Sequence, residues 1–311
     1  MKRILVTGCS GFLGGHLIRR LADGPGVEIF GLTEVEDFTS AHCGVQRCDI
    51  RDGDAVEAVV AKVRPDVIYH LAAVANVGFS WKHPRLTYEV NFIGSANLVA
   101  AAARTVPDVR LLLLSSAELY GPAGSEPIRE ETGVTVRNPY ALSKLAMEMV
   151  GDMYATIDHL DILKIRAFNF TGPGQNRQFV SSDFAHQIVE IERGRREALI
   201  RVGNLEAVRD ISDVRDVCRY LTVLADRGAG GEIYNLCSGR SVAIDDILQI
   251  LLGLSPTSIR VEVEAERLRP VDVPVLTGDC RKIRDGFGLK PCYTLEQTLE
   301  DLLNDWRSRS P

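Results

Sequence analysis

An α/β fold built on a doubly wound parallel sheet follows from three observations on the 311-residue sequence. Apolar, β-branched runs alternate with helical patterns over the first two-thirds of the chain. Those runs are continuous, as strands covered on both faces require, and do not alternate with polar residues. A glycine-rich turn separates the first run from the first helical pattern. Taken in order, residues 4–6 (ILV) predict a first strand and residues 13–21 a first helix. Residues 27–32 predict a second strand, and residues 67–69 with Leu71 a third of the same buried kind. An alanine-rich helix is expected over 91–103, a fully apolar strand over 110–114 and a helix over 140–154. Strict strand–helix alternation of this kind implies a parallel sheet with helices on both sides.

The texture changes after about residue 167. Stretches such as TGPGQNRQF and SGRSVAIDD carry turn residues, and the periodic elements shorten. Residues 260–266 alternate valine with charge, as a half-exposed strand does, and 295–306 have apolar residues at helical spacing. Two domains are therefore expected: a nucleotide-binding domain over 1–166, with a return strand near 213–237, and a smaller α/β substrate domain over 167–311.

Composition excludes several classes. The chain is 45% hydrophobic and 25% charged, with a net charge of −6, so nothing marks a nucleic-acid partner. No run approaches a membrane span, and the apolar stretch before Thr7 is too short for a signal peptide. Seven cysteines (9, 43, 48, 218, 237, 280 and 292) are scattered, with no Cys-x-x-Cys pair. That distribution fits reduced thiols in a cytoplasmic protein, with no metal site and no disulfide framework.

Gly8, Ser10, Gly11, Phe12, Leu13 and Gly14 form the turn between the first strand and helix. Glycines there let the backbone approach a pyrophosphate lying at the positive end of the helix, which predicts a dinucleotide. The second strand ends in Leu32-Thr33-Glu34 with no basic residue nearby in sequence. Thr33 suits either NAD or NADP, whereas Glu34 repels a 2′-phosphate, so the reading favours NAD(H). Tyr140 and Lys144 stand four apart on one face of a helix, downstream of Ser116 at the end of a strand. A lysine cation beside a tyrosine favours the phenolate and lowers its pKa. Ser116 would hydrogen-bond the oxygen on which charge develops.

With this Rossmann glycine turn and the Ser116, Tyr140 and Lys144 set, the chain resembles the extended short-chain dehydrogenase/reductase family acting on sugar nucleotides. The likeness covers essentially the whole chain. It implies that Leu71, Ala72 and Ala73 (in HLAA, on the fourth strand), Asp49 and Ile50 (in CDI), and Phe168 contact the cofactor. Several stretches look like the GDP-4-dehydro-6-deoxy-mannose reductase group: FNFTGPGQ, VGNLEAVRD and LRPVDVPVLTGD. The resemblance implies that Asn169, Arg209 and Arg269 bind the substrate diphosphate. It also implies that Phe179, Val180, Val202 and Asn204 line the nucleotide pocket. A homodimer through the helices at 91–103 and 140–154 is expected, as the family pairs.

Three reactions share hydride transfer at C4 of the sugar, so the residues above do not separate them. A dehydratase also needs an acid/base pair for the C5 proton and the C6 hydroxyl. Its family pattern places an acid or serine after the serine, where this chain has Ala117, which can neither give nor take a proton. Glu118 then remains as a catalytic or substrate-binding carboxylate. The leading expectation is reduction of the C4 ketone of GDP-4-dehydro-6-deoxy-D-mannose. A sugar-nucleotide 4-epimerase, a GDP-mannose 4,6-dehydratase and a non-catalytic NAD(P)-binding regulator follow, in that order.

Overall fold

The computed structural model describes residues 1–124, 127–264, 266 and 273–309, so Arg269 lies outside the described residues. Strand β1 (Lys2–Thr7) turns through glycine into helix α1 (Phe12–Ala22), and β2 (Val27–Thr33) follows. Next come β3 (Gly44–Arg47), α2 (Gly53–Val63) and β4 (Val67–His70). The short helices α3 (Val77–Lys82) and α4 (Pro84–Tyr88) lead through a π-helical turn, Glu89–Ile93, into α5 (Gly94–Thr105). Then β5 (Arg110–Ser116) runs into a 3₁₀ turn (Ala117–Tyr120), and α6 (Pro139–Ile157) precedes β6 (Asp161–Ala167).

Downstream lie β7 (Asn169–Thr171), α7 (Val180–Glu192), β8 (Leu199–Val202), β9 (Val208–Asp213) and α8 (Val214–Arg227). They are followed by β10 (Ile233–Leu236), β11 (Ser241–Ala243), α9 (Ile244–Gly253), β12 (Arg260–Val263) and β13 (Val275–Leu276). Helices α10 (Arg281–Phe287) and α11 (Leu295–Ser308) complete the order.

The chain divides into two compact units, each assembled from separate stretches. Met1–Leu119, Val136–Ala167 and Cys218–Leu236 make the first. Tyr120–Thr135, Phe168–Val217 and the stretch from Cys237 onward make the second.

In the first unit seven strands lie in the order β10-β6-β5-β4-β1-β2-β3, and every pairing along that order is parallel. The sheet is wound outward in both directions from the β1–β4 pair, so the switch point lies where Thr7 meets His70 in register. One face is covered by α2, α5 and α6. Val56, Val60, Leu98, Val99 and Met147 pack there on Leu5, Leu32, Ile68, Leu111 and Leu113. Ile4 and Val6 are equally buried and, by the pleat, face the opposite side, where α1 packs on β1 and β2.

Several expectations change. Residues 67–70 form the fourth strand of the chain, because β3 precedes them at the sheet edge. Its GVQR sequence is half-exposed to exposed and carries no apolar run. β4 also ends at His70, so Leu71, Ala72 and Ala73 lie in the loop after it. The helix expected over 91–103 opens as the π-helical turn, a change in hydrogen-bond register that leaves the apolar period readable.

In the second unit β9 pairs with β11, β13 and β7, and β8 pairs in parallel with β12. Phe184, Ile188, Ile200, Ile247, Leu251, Leu299 and Leu303 form its core. The strand expected over 260–266 is β12, but all four of its residues are exposed and burial does not alternate.

Candidate active site

The glycine turn crosses the carboxyl ends of β1 and β4. Gly8 has φ +70°, and a Cβ on it would lie 2.8 Å from the Ala72 nitrogen, so only glycine lets the two loops approach this closely. A Cβ on Gly14 would fall 2.3 Å from the Gly8 carbonyl oxygen. Gly11 caps α1 without a side-chain hydrogen bond, which leaves the positive end of the helix open to an anion. Ser10 and Thr33 share a hydroxyl hydrogen bond of 2.7 Å that ties the turn to the end of β2. Phe12 is half-buried and Leu13 buried on the first turn of α1. These residues fit a dinucleotide pyrophosphate.

Thr7 and His70 lie beneath that turn. Thr7 Oγ1 accepts from the Leu71 and Ala72 N–H groups, each at 3.1 Å, and meets His70 Nδ1 at 2.8 Å. On the other side His70 Nε2 meets Ser95 Oγ at 2.8 Å. Ser95 donates its own proton to the Asn91 carbonyl, so it accepts from His70 and the tautomer is Nε2–H. Burial, with the Lys144 charge adding to it, pushes the His70 pKa down to about 3.

Near the ribose end expected for the cofactor, the fold supplies cations that sequence order hid. Arg51 binds both oxygens of Asp49, with Nη2–Oδ2 2.6 Å, and feels Glu34 electrostatically. Arg47 pairs with Glu36. No basic residue follows Glu34 closely in sequence, but β3 and the turn after it return arginines to the end of β2. Those hydrogen bonds hold the Asp49 carboxyl below its ordinary pKa, whereas Ile50 is a core residue at 6% exposure.

Ser116, Glu118, Tyr140 and Lys144 are brought together. Asn138 caps α6 by accepting from Ala141 N at 2.7 Å, and Pro139 opens the first turn. The same Asn138 donates to Glu118 Oε2 at 3.2 Å, so the cap that starts the helix also holds the carboxylate. Ser116 accepts from the Glu118 N–H at 3.2 Å and is hydrogen-bonded to Tyr140. Ser143 donates to the Tyr140 carbonyl and receives from Asn91 Nδ2, at 2.7 and 2.9 Å. The π-helical turn is thus tied to α6 through Asn91. Asn138 and Ser143 were not singled out in the sequence, although both sit inside the NPYALSK stretch.

The electrostatics overturn one expectation. The Tyr140 pKa is not lowered; burial pushes it up to about 12, with Ser116 opposing the rise and Glu118 adding to it. Lys144 is itself pushed down to about 8 by burial, and its Nζ donates to the Leu114 carbonyl at 2.7 Å. A pocket dry enough to enclose both groups penalises both charges.

In the second unit Phe168 is 3% exposed and stacks on Tyr120, centroids 6.4 Å apart, and Asn169 is exposed at the start of β7. Arg209 is buried and its Nη1 donates to the carbonyls of Val208 and Val273 at 2.9 and 2.7 Å. Phe179 is half-buried as the N-cap of α7, and Val180 is exposed. Asn204 Oδ1 accepts from Glu206 N at 3.0 Å. Val202 does not line a pocket wall with its side chain: at 1% exposure it is packed in the core.

A doubly wound sheet, a glycine turn at its switch point and a buried Ser–Tyr–Lys cluster define a dinucleotide-dependent oxidoreductase. The model of the family described as GDP-mannose 4,6 dehydratase matches residues 5–302, and the chain belongs to that family, within the sugar-nucleotide branch of the extended short-chain dehydrogenases/reductases. It is 31% identical to the GDP-6-deoxy-D-mannose reductase of Pseudomonas aeruginosa, over 99% of this chain and 98% of that one. It is 30% identical to the GDP-6-deoxy-D-talose 4-dehydrogenase of Aggregatibacter actinomycetemcomitans, over 92% and 91%. The solved structure of RMD from Pseudomonas aeruginosa complexed with NADPH superposes with a TM-score of 0.89 at 30% identity, covering 100% of both chains.

Proposed function

We propose that the protein reduces the C4 ketone of GDP-4-dehydro-6-deoxy-D-mannose, giving GDP-D-rhamnose or, with the opposite face presented, GDP-6-deoxy-D-talose. The observation that carries this reading is Ala117. At 1% exposure it fills the position beside Ser116 where a dehydratase needs a proton donor, while Glu118 is engaged with Asn138. The reductase and the talose dehydrogenase among its relatives support the same reaction class.

A reduced nicotinamide supplies hydride when bound, held by the glycine turn, Thr33, the loop 71–73, Tyr140 and Lys144. Ser116 donates a hydrogen bond to the C4 oxygen and orients it. Tyr140, kept protonated by its raised pKa, gives its proton to the alkoxide as that forms, so a pKa near 12 suits a donor better than a resting phenolate. Lys144 stabilises the phenolate left behind. In the second unit Asn169 and Arg209, with Arg269, are assigned to the diphosphate, and Phe179, Val180 and Asn204 to the nucleotide.

For the cofactor, the acidic setting of Glu34, Glu36 and Asp49 supports NAD(H), with Arg47 and Arg51 already engaged by acids; RMD is complexed with NADPH. Equilibrium titration of the protein with NADH and NADPH separates the two. A homodimer is supported by the face of α6, where Leu142, Met149, Met153 and Ile157 are 47, 64, 49 and 69% exposed. A cytoplasmic location is supported by cysteines that are all free thiols.

The deciding experiment incubates purified protein with GDP-4-dehydro-6-deoxymannose and each reduced cofactor, following nicotinamide absorbance. Oxidation of a cofactor is expected; none with either would sink the reductase. Conversion of GDP-mannose without added reductant would establish a dehydratase instead.

A further inference from the structure

Helix α6 carries a third ionisable residue on the face that holds Tyr140 and Lys144. Glu148 follows Lys144 by four residues, one helical turn on. Its two oxygens take hydrogen bonds from Arg166, Nε–Oε1 at 3.0 Å and Nη2–Oε2 at 2.7 Å. Both side chains are buried, 4% and 6% exposed. Arg166 stands on β6 opposite Ser115, one register step from the Ser116–Ala167 pair. A buried, bidentate ion pair therefore joins the helix of Tyr140 and Lys144 to the strand beside Ser116. The reaction as described uses neither residue.

Stability alone is a weak reason for such a pair, since desolvating two charges offsets much of their attraction. Lys144 gives a stronger one. Its ammonium is buried, donates to the Leu114 carbonyl and lies 4.0 Å from Met147 Sδ; neither partner is an anion. Glu148 on its own helix acts on its charge, His70 on β4 feels it, and Glu118, on the turn after β5, faces Tyr140 in the same cluster. His70 and Tyr140 carry no charge and the Glu118 carboxylate is held by Asn138, so Glu148 is the carboxylate whose field favours the Lys144 cation. Arg166 holds that carboxylate through both of its oxygens and so fixes its place beside the helix of Lys144.

We propose that Glu148 and Arg166 are positioning residues for the reaction: the Glu148 carboxylate, fixed by Arg166, holds Lys144 as an ammonium inside its dry pocket. The proposal rests on the reading of Lys144 as part of the active site.

The test uses the full chain. Glu148→Gln leaves Arg166 as a bare buried cation that endangers folding. The main variant is therefore E148Q/R166M, which removes both charges, a change buried pairs commonly tolerate. Lysine titrations are followed by NMR on isotope-labelled protein, with the Lys144 signal identified by its loss in Lys144→Arg. In folded E148Q/R166M the Lys144 titration is expected to fall by about half a pH unit or more. The alkaline limb of kcat/KM should move down with it while KM at neutral pH is little changed. An unmoved Lys144 titration, or a shifted titration with an unmoved limb, would overturn the proposal. If the wild type turns over no substrate, the reductase reading fails on its own, and the NMR titration still decides whether the pair governs Lys144.

Discussion

Tyr140 and Lys144 occupy one buried pocket, and burial moves their titrations in opposite directions, up to about 12 and down to about 8. Tyr140→Phe should lower kcat by about 10²- to 10⁴-fold while dinucleotide binding, read by fluorescence titration, is kept. Lys144→Met should abolish turnover and raise the unfolding free energy by about 1–3 kcal/mol at neutral pH, because a desolvated cation is removed. The sign has a pH signature. Burial pushes the Lys144 pKa in the folded protein to about 8, against an ordinary value of 10.5. Between those values the unfolded chain holds the proton that the folded one has released. Wild-type stability therefore gains on the variant as pH rises from 8 towards 10.5, which urea unfolding at several pH values measures. Ser116, Tyr140 and Lys144 were legible in the sequence through spacing and order. The rise in the Tyr140 pKa was not, because it depends on how much water the pocket excludes. Arg166 was hidden for another reason: the pairing of β6 with β5 brings it to Glu148 from a separate element.

Among the elements, strands with unbroken apolar runs announced themselves, and β10 was anticipated as a return strand, whereas β3 and β6 were not. β1, β2, β4 and β5 carry runs of apolar residues that mark them, whereas Lys164 and Arg166 break the run in buried β6. β3 is an edge strand with one half-buried valine, Val45, and gives no such signal. For α2 the signal lies in its cap and its apolar stripe. Asp52 caps it by accepting from Ala55 N at 3.0 Å, and Val56, Val60 and Val63 mark its buried face. The π-helical turn has no comparable mark, since its insertion alters hydrogen bonding more than hydropathy. At the turn between β1 and α1, the Gly8 carbonyl sits where a Gly14 side chain would be. Gly14→Ala should therefore destabilise the protein by about 1–3 kcal/mol and weaken dinucleotide binding much more. Thermal unfolding and cofactor titration on the same variant separate the two effects.

At the scale of the whole molecule, the two-part texture of the sequence was visible, but the interleaving of the parts was not. Hydropathy reports where a stretch is buried and not which partner buries it, so residues 120–135 read as part of the first unit although they pack in the second. The exposed apolar face of α6 gives a prediction at this scale. In Met149→Glu/Met153→Glu the proposed dimer should give way to a monomer by light scattering, with the fold kept, because both side chains are about half exposed or more. The strand order carries a further consequence. β10 closes the edge of β6, yet it is encoded after β7, α7, β8, β9 and α8. A ribosome delivers β6 well before the strand that covers it. Throughout that interval a nascent chain presents an open, apolar sheet edge, the template on which β-aggregation begins. Synthesis of this protein is thus most exposed to misassembly after Ala167 has emerged and before Leu236 has, and a chaperone that shields strand edges has its longest window there.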